Sequence, residues 1–169
     1  MTRDQKKVAI GAISGVLSMA LLVALLYHVL PPVQEMDLVN RLAYTLNLNV
    51  VAIIPLFIMF IAVGNGRFLS EAIDPTRHAE SREMEINAKV ANNTLEQGFV
   101  FFVGTLALST RLAPESMTLI PALVIVFVLA RIAFWIGYRT NPLYRAPGMA
   151  ATSYMNVGIL LTVLYLFFF

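Results

Sequence analysis

The residues best suited to chemistry include a short polar run inside an otherwise apolar stretch. Lys89, Asn93 and Glu96 fall at positions i, i+4 and i+7, which is one side of a helix. An ammonium, an amide and a carboxylate would therefore point in similar directions. A charged group inside a membrane helix costs several kcal/mol unless it is paired or wetted, so Glu96 requires a partner or a function.

A second polar group lies on the next apolar stretch. Four of its residues fall at i, i+3, i+4 and i+7, again one side of a helix: Arg131, Phe134, Trp135 and Tyr138. Arg145 follows across a turn that contains Pro142. If the two helices are antiparallel, Arg131 and Glu96 lie at a similar depth, roughly 10 Å from one membrane face. They could form an ion pair, bind a shared polar ligand, or simply fix the packing of the helices.

A pocket with several cations and one carboxylate suits a small, flexible ligand with two carboxylates and one amine. The tripeptide glutathione has this pattern. Arginine binds carboxylates in a bidentate manner, and Glu96 could accept hydrogen bonds from an ammonium. An arginine near a thiol would also lower the pKa of that thiol, because it stabilises the reactive thiolate.

The composition indicates the elements that must position these residues. Of 169 residues, 59% are hydrophobic and only 13% charged, where a soluble domain has about a quarter charged. The apolar residues form five stretches with bounds near 8–30, 46–64, 90–112, 117–138 and 146–169. Each is about long enough to cross a bilayer as a helix, and nothing alternates as barrel strands would. We therefore expect an all-α integral membrane helical bundle.

The composition also excludes several classes of function. The chain has no cysteine, so it forms no disulfide and offers no thiolate ligand or cysteine nucleophile. Its formal net charge of +2 is too small to indicate nucleic-acid binding. The two histidines, His28 and His78, are far apart in the sequence, and we expect no metal site.

The distribution of Lys and Arg predicts the orientation in the membrane. With the N-terminus inside, nine basic residues fall on the cytoplasmic side: Arg3, Lys6, Lys7, Arg67, Arg77, Arg82, Lys89, Arg139 and Arg145. Only Arg41 and Arg111 fall on the opposite side. Stretch 8–30 is too long for a signal peptide and lacks a cleavage pattern, so we expect a retained helix. The prediction is five spans, N-in and C-out.

Two motifs on successive helices resemble the MAPEG family, the membrane-associated proteins in eicosanoid and glutathione metabolism. The first is a basic residue, then Asn, then Glu, as in Lys89-x-x-x-Asn93-x-x-Glu96. The second is Arg131-x-x-Phe134-x-x-Gly137-Tyr138, with a further arginine, Arg145, seven residues later. The resemblance covers about residues 46–169 and is sharpest over 89–96 and 131–147.

The resemblance implies a homotrimer of four-helix subunits that binds glutathione between neighbouring subunits near the cytoplasmic face. It divides the chain into an extra N-terminal helix with its connection, 1–45, and a four-helix core, 46–169. It assigns six residues to glutathione binding: Lys89, Asn93, Glu96, Arg131, Phe134 and Tyr138. Arg145 would be catalytic and stabilise the thiolate for attack on a lipophilic electrophile or a lipid hydroperoxide.

The sequence departs from the family pattern at three positions. Lys89 replaces the usual arginine, Gln97 stands where an aromatic residue is common, and Phe134 lacks a hydroxyl that some members direct at the sulfur. Two other functions therefore stay open. One is a non-catalytic protein that binds a lipid or acts as a scaffold, and the other is a small transporter that uses a Glu96–Arg131 pair.

The N-terminal helix carries a pattern of small residues suited to close helix packing. Gly11 and Gly15 are four residues apart, and Ser14 and Ser18 lie beside them. This face could contact another helix of the same subunit or form an interface between subunits.

Overall fold

Five long helices make up most of this computed structural model, which describes residues 1–74 and 80–169. They are α1 (Arg3–Val29), α2 (Leu38–Phe68), α3 (Arg82–Ser109), α4 (Leu119–Thr140) and α5 (Ala146–Phe168). Short 3₁₀ turns cover Glu71–Ile73, Pro114–Ser116 and Pro142–Arg145, and no strand occurs in the described ranges. The prediction of an all-helical chain is confirmed. Arg77 and His78 lie outside the described residues.

Polar side chains cap the first three long helices. The Thr2 hydroxyl accepts a hydrogen bond from the Gln5 amide, and the Gln5 side chain accepts one from the Thr2 amide, which forms a capping box before α1. Asp37 caps α2 and Ser81 caps α3 in the same way, each accepting a hydrogen bond from the amide three residues later. These caps fix where α1, α2 and α3 begin, whereas α4 and α5 begin without a side-chain cap.

Three helices are longer than the apolar stretches that predicted them. α1 begins at Arg3, not near residue 8. α2 begins at Leu38, not near residue 46, and α3 begins at Arg82, not near residue 90. Polar residues in the first turns do not interrupt a helix, but they do end an apolar run. The polar segment 65–89 is therefore partly helical, at 65–68 and 82–89.

Four of these helices are long and apolar enough to cross a membrane. They are α1, α2, α4 together with its preceding turn, and α5 together with its preceding turn. α3 has 28 residues, which is sufficient length, but its first half carries several charges. Hydrogen bonds join α3 to the other helices near both of its ends and in its middle. A fifth membrane span at α3 remains a prediction.

The largest cluster of buried apolar side chains lies among α3, α4 and α5. Phe101 stacks on Phe127 with ring centroids 4.3 Å apart, and Val124, Met155 and Ile159 belong to the same cluster. A smaller cluster around Phe134 packs α4 against α2 and α3. The two clusters hold the helices at fixed separations. This includes the ends of the helices that carry the charged residues.

α1 packs against the first turn of α5 through its glycines. A Cβ on Gly15 would lie 2.2 Å from the Pro147 carbonyl oxygen, and one on Gly11 would lie 3.3 Å from the Ala146 Cβ. The first separation is too short for any side chain, so the backbones touch only because residue 15 is glycine. The small-residue face of α1 therefore makes a contact within the subunit.

We expect Gly15→Ala to destabilise the protein by about 1–3 kcal/mol, because the added methyl group must push α1 away from backbone atoms. The matched control is Gly158→Ala, where a Cβ would have no neighbour within 4 Å. Both changes raise helix propensity equally. Unfolding in detergent micelles measures the difference. Equal stabilities would contradict the contact between α1 and α5.

Candidate functional site

The Arg131 side chain lies in the interior of the bundle, with 0% of its surface exposed. Its Nη1 donates a hydrogen bond to the Asn93 Oδ1 at 3.0 Å, and its Nη2 donates one to the Gly148 carbonyl at 3.0 Å. Nη2 also contacts the Thr152 hydroxyl. One guanidinium therefore joins α3, α4 and α5.

The surroundings of Arg131 explain how a cation is accommodated there. The guanidinium carbon lies 4.7 Å from the centre of the Phe134 ring and 5.9 Å from that of Phe127, so aromatic faces flank it. A Cβ on Gly148 would lie 2.5 Å from the Ala130 carbonyl oxygen. Glycine at this position lets α5 approach α4 closely enough to present its carbonyl group to Arg131.

Of the possibilities that the sequence left open for Glu96 and Arg131, an ion pair is not formed. Glu96 is exposed and has no hydrogen bond or ion pair within 1–74 and 80–169, whereas Arg131 is buried. Glu96 projects from the outer side of α3, and Asn93, at the edge of that side, takes the hydrogen bond instead. An amide can reach inward to Arg131 from this edge, while the carboxylate faces away from the core.

A polar row runs along the outer side of α3. Four exposed residues form this row at i, i+4, i+7 and i+11: Glu85, Lys89, Asn92 and Glu96. Within the row, Lys89 Nζ lies 3.9 Å from the Glu85 carboxylate. The row continues about halfway along the helix, into the part where a lipid-facing surface would be apolar. A charge at that depth is costly unless a polar partner or water reaches it.

Arg145 lies at the junction between α4 and α5, where the 3₁₀ turn meets the last turn of α4. Its guanidinium carbon is 5.0 Å from the centre of the Tyr138 ring, and its Nη1 donates a hydrogen bond to the Pro142 carbonyl at 3.2 Å. The Tyr138 ring in turn packs edge-on against Phe134. In the part of the chain that the structure describes, the other nitrogens of this half-buried guanidinium make no hydrogen bond.

Gly137 allows the junction between α4 and α5 to form. A Cβ at Gly137 would lie 2.3 Å from the Tyr144 carbonyl oxygen, so the turn before α5 rests directly on α4. Any side chain at this position would move the turn that carries Arg145. The Gly-Tyr pair of the sequence motif therefore has two separate roles, since glycine permits the approach and Tyr138 contacts the cation.

Further contacts fix α3 against α4 at the same end of the bundle. Trp135 Nε1 donates a hydrogen bond to the Asn87 Oδ1 at 2.9 Å, and Arg139 forms an ion pair with Glu83. Sequence reasoning missed Asn87, as well as Gly148 and Thr152 beneath Arg131. The one available signal for the last two was their spacing, a small residue every fourth position at the start of α5.

The structure thus brings some of the predicted residues together and separates others. It joins Arg131 to Asn93 and Arg145 to Tyr138, with Phe134 between the two pairs. Lys89 and Glu96 stand apart from both pairs on the outer side of α3. Direct contact of these residues with glutathione stays a prediction. No group of three His, Asp or Glu side chains suited to a metal ion occurs among the described residues.

Comparison with known proteins identifies the family. The model of the MAPEG family matches residues 38–165, which is most of the chain. This chain belongs to the MAPEG family. The matched region contains nearly all of α2 to α5, and α1 lies before it.

Two curated proteins that resemble this MAPEG chain are both named Transmembrane protein 79. The protein from Mus musculus is 26% identical over 129 residues, which is 76% of this chain and 33% of that protein. The protein from Bos taurus is also 26% identical over 129 residues, which is 32% of its length. The chain thus spans about a third of these relatives. No solved structure matches it.

We expect Arg131→Met to destabilise the protein by about 2–5 kcal/mol, because it removes the buried hydrogen bonds that join α4 to α3 and α5. The matched control is Arg139→Met, which removes an exposed ion pair with Glu83 and should cost at most about 1 kcal/mol. Unfolding in detergent micelles measures both. If the two variants lost similar stability, Arg131 would not hold the three helices together.

Proposed function

We propose that this protein is a glutathione-dependent membrane transferase or peroxidase. The observation that carries the proposal is the placement of Arg145. Its guanidinium is half-buried, is held by the Tyr138 ring and the Pro142 carbonyl, and retains donors that no described residue uses. Membership of the MAPEG family supports the same activity.

Arg145 would activate the thiol of glutathione. A fixed cation next to a thiol stabilises the thiolate and so lowers the pKa of the thiol. The stacking contact and the carbonyl hydrogen bond hold the guanidinium in position, so little reorganisation is needed when the anion forms. The thiolate sulfur would then attack a lipophilic electrophile in a conjugation. In a reduction it would attack the terminal oxygen of a lipid hydroperoxide, which breaks the O–O bond and releases the lipid alcohol, and a second glutathione would convert the resulting sulfenic acid to glutathione disulfide and water.

The polar row on α3 supports glutathione binding at an interface between subunits. Lys89 suits a carboxylate of glutathione and Glu96 suits its ammonium. Both side chains point away from the core of their own subunit, so a ligand that contacts them and Arg145 would lie between copies. A homotrimer would cover the row and remove the cost of exposing Glu96 to lipid.

The interior residues would position the site. Both terminal nitrogens of Arg131 are bonded to its own chain, so it would orient Asn93 at the edge of the polar row and fix the start of α5, which follows Arg145 directly. Tyr138 would hold Arg145 and present its hydroxyl group nearby. Phe134 would act as the spacer between the two arginines.

The site would lie near the cytoplasmic face. Successive helices run in opposite directions. The starts of α1, α3 and α5 therefore lie beside the ends of α2 and α4, and the basic residues of these segments are at one end of the bundle. Excess Lys and Arg favours the cytoplasmic side. Glutathione would arrive from the aqueous phase and the second substrate from the bilayer.

The second candidate is a non-catalytic protein that binds a lipid or acts as a scaffold. Two observations favour it: Arg131 is used within the subunit, and the curated relatives are named only as transmembrane proteins. It differs from the first in requiring no glutathione. A transporter based on a Glu96–Arg131 pair has no support, since that pair is not formed.

The test is glutathione binding by the purified protein together with the ultraviolet absorbance of the bound thiolate. We expect the wild type to bind glutathione as the thiolate. Arg145→Ala should lose the thiolate signal and at least about 100-fold in conjugation rate, because the charge that stabilises the anion is gone. The matched control is Arg139→Ala, a cation at the same end of α4 that is already paired with Glu83.

A third variant separates binding from activation. Glu96→Gln should weaken binding but leave each bound glutathione in the thiolate form, because Glu96 faces the ammonium and not the sulfur. A wild-type protein that binds no glutathione would exclude the proposed activity and leave the non-catalytic candidate. A thiolate signal that survives Arg145→Ala would refute the role of Arg145 alone.

A further inference from the structure

Three large apolar side chains are exposed where α2 ends, at the same end of the bundle as Arg145. Phe68 is 73% exposed, Leu69 81% and Ile73 64%. They follow the apolar stretch of α2, which ends near residue 64, and belong to the polar segment 65–89. We call these three residues the apolar patch. Exposed apolar residues that cluster in this way mark a surface that a membrane or another molecule covers.

Local contacts hold the patch in a defined turn. The Ser70 Oγ accepts a hydrogen bond from the Ala72 amide at 3.3 Å and donates one to the Arg67 carbonyl at 3.3 Å. Ala72 is 3% exposed, so it is the buried residue of this turn. Arg67 also forms an ion pair with Glu80, which ties the end of α2 to the segment just before α3. The turn is thus anchored through a small residue, and its large apolar side chains stay outside.

Phe68 continues the outer apolar face of α2. Ile54, Phe57, Ile61 and Phe68 fall at i, i+3, i+7 and i+14, which is one side of the helix, and all four are exposed. The first three would contact acyl chains, because α2 is long and apolar enough to cross a bilayer. Phe68 therefore points sideways toward the membrane, not along the helix axis into the aqueous phase.

The depth of Phe68 matches the headgroup layer of a bilayer. Phe68 follows the end of the apolar stretch by four residues, which is about 6 Å at the rise of an α-helix. The hydrocarbon core is about 30 Å thick and the whole bilayer about 40–45 Å, so each headgroup layer extends about 5–8 Å beyond the core. Segments that lie in this layer place Phe and Leu side chains at the boundary with the acyl chains.

We propose that the apolar patch inserts into the headgroup layer of the membrane, so that the turn after α2 lies on the bilayer surface. Phe68 and Leu69 reach the edge of the acyl chains, and Ile73 lies beside them in the same layer. This contact requires neither glutathione nor a particular lipid. It is independent of the proposed chemistry and would exist in either of the two candidate functions.

The contact would also fix the depth of the polar row on α3. A Cβ on Gly66 would lie 3.1 Å from the Met84 Cγ, so these two residues are at a similar level of the bundle. Lys89 follows Met84 by five residues, which places it about 7–8 Å deeper in the membrane. With Phe68 in the headgroup layer, Lys89 lies just inside the hydrocarbon core. A lysine at this depth can extend its ammonium to the membrane surface, where a soluble ligand can reach it.

A protein partner fits the patch less well than the membrane does. A stable protein interface buries about 800 Å² on each side, which is more than three side chains can supply. Such a partner would also have to cover Glu71, which is exposed on the same turn. The headgroup layer accepts apolar and charged side chains together, because acyl chains and water are both close by.

The test uses spin labels on single cysteines, which the cysteine-free chain allows without background. Phe68→Cys and Ile73→Cys are labelled in the full-length protein in lipid nanodiscs. Collisions with oxygen, which concentrates among acyl chains, are compared with collisions with a water-soluble nickel chelate. Ile61→Cys is the lipid control. Asp4→Cys, at the exposed polar start of α1, is the aqueous control.

We expect the labels at positions 68 and 73 to collide preferentially with oxygen, as the label at position 61 does. A preference for the nickel chelate, as at position 4, would place the patch in the aqueous phase and overturn the proposal. Immobilised labels that neither reagent reaches would show that protein covers the patch, and would overturn it equally.

A second experiment tests whether the patch itself causes the insertion. The reporter is a label on Leu69→Cys, and the double change Phe68→Glu with Ile73→Glu should shift its preference from oxygen to the nickel chelate. The matched control is Val39→Glu, which changes an equally exposed apolar residue, at 73%, near the opposite end of α2. A reporter that keeps its preference for oxygen in the double variant, or loses it in the control, would refute the role of the patch. Elution as the wild-type oligomer confirms that each variant is folded.

Discussion

A guanidinium group buried among membrane helices must satisfy its donors from the protein itself, because neither water nor lipid can. Both terminal nitrogens of Arg131 do so, with Asn93 on α3 and with Gly148 and Thr152 on α5, while its Nε makes no hydrogen bond within the described residues. Each partner imposes a condition on its own helix. α5 must start with small residues so that its backbone approaches α4, and α3 must turn an amide toward the core. The relative positions of these three helices therefore depend on the hydrogen bonds of one side chain.

This arrangement separates the charged residues into two groups with different roles. Arg131 is buried and joins three helices, whereas Lys89 and Glu96 are exposed and Arg145 is half-buried. The MAPEG sequence motif thus contains one arginine that supports the fold and, in the proposed function, one that activates the ligand. α1 adds a second support, since its glycines rest on the turn of α5 that immediately follows Arg145. A ligand at Arg145 would meet a cation whose position is fixed from both sides.

The sequence was sufficient to predict the helical bundle, the shared faces of α3 and α4, and the family, because helical spacing and apolar length are local properties. It could not predict whether a given face of a helix points into the bundle or away from it. Lys89, Asn93 and Glu96 do share one side of α3, yet that side is largely external, so Glu96 does not meet Arg131. The roles of Gly148 and Thr152 were also beyond prediction, since a backbone carbonyl acceptor leaves no mark in the sequence. The first turns of α2 and α3 were missed because polar residues conceal a helix from a search for apolar runs.

The division of roles between the two arginines can be observed directly by nitrogen NMR of arginine side chains in the detergent-solubilised protein during a glutathione titration. Assignment uses Arg131→Lys and Arg145→Lys. We expect the Arg145 guanidinium signals to shift on binding, while the Arg131 signals keep their positions and their slow hydrogen exchange. A shift of the Arg131 signals with Arg145 unchanged would show that the buried arginine binds the ligand, and would contradict the separation of support from reactive group.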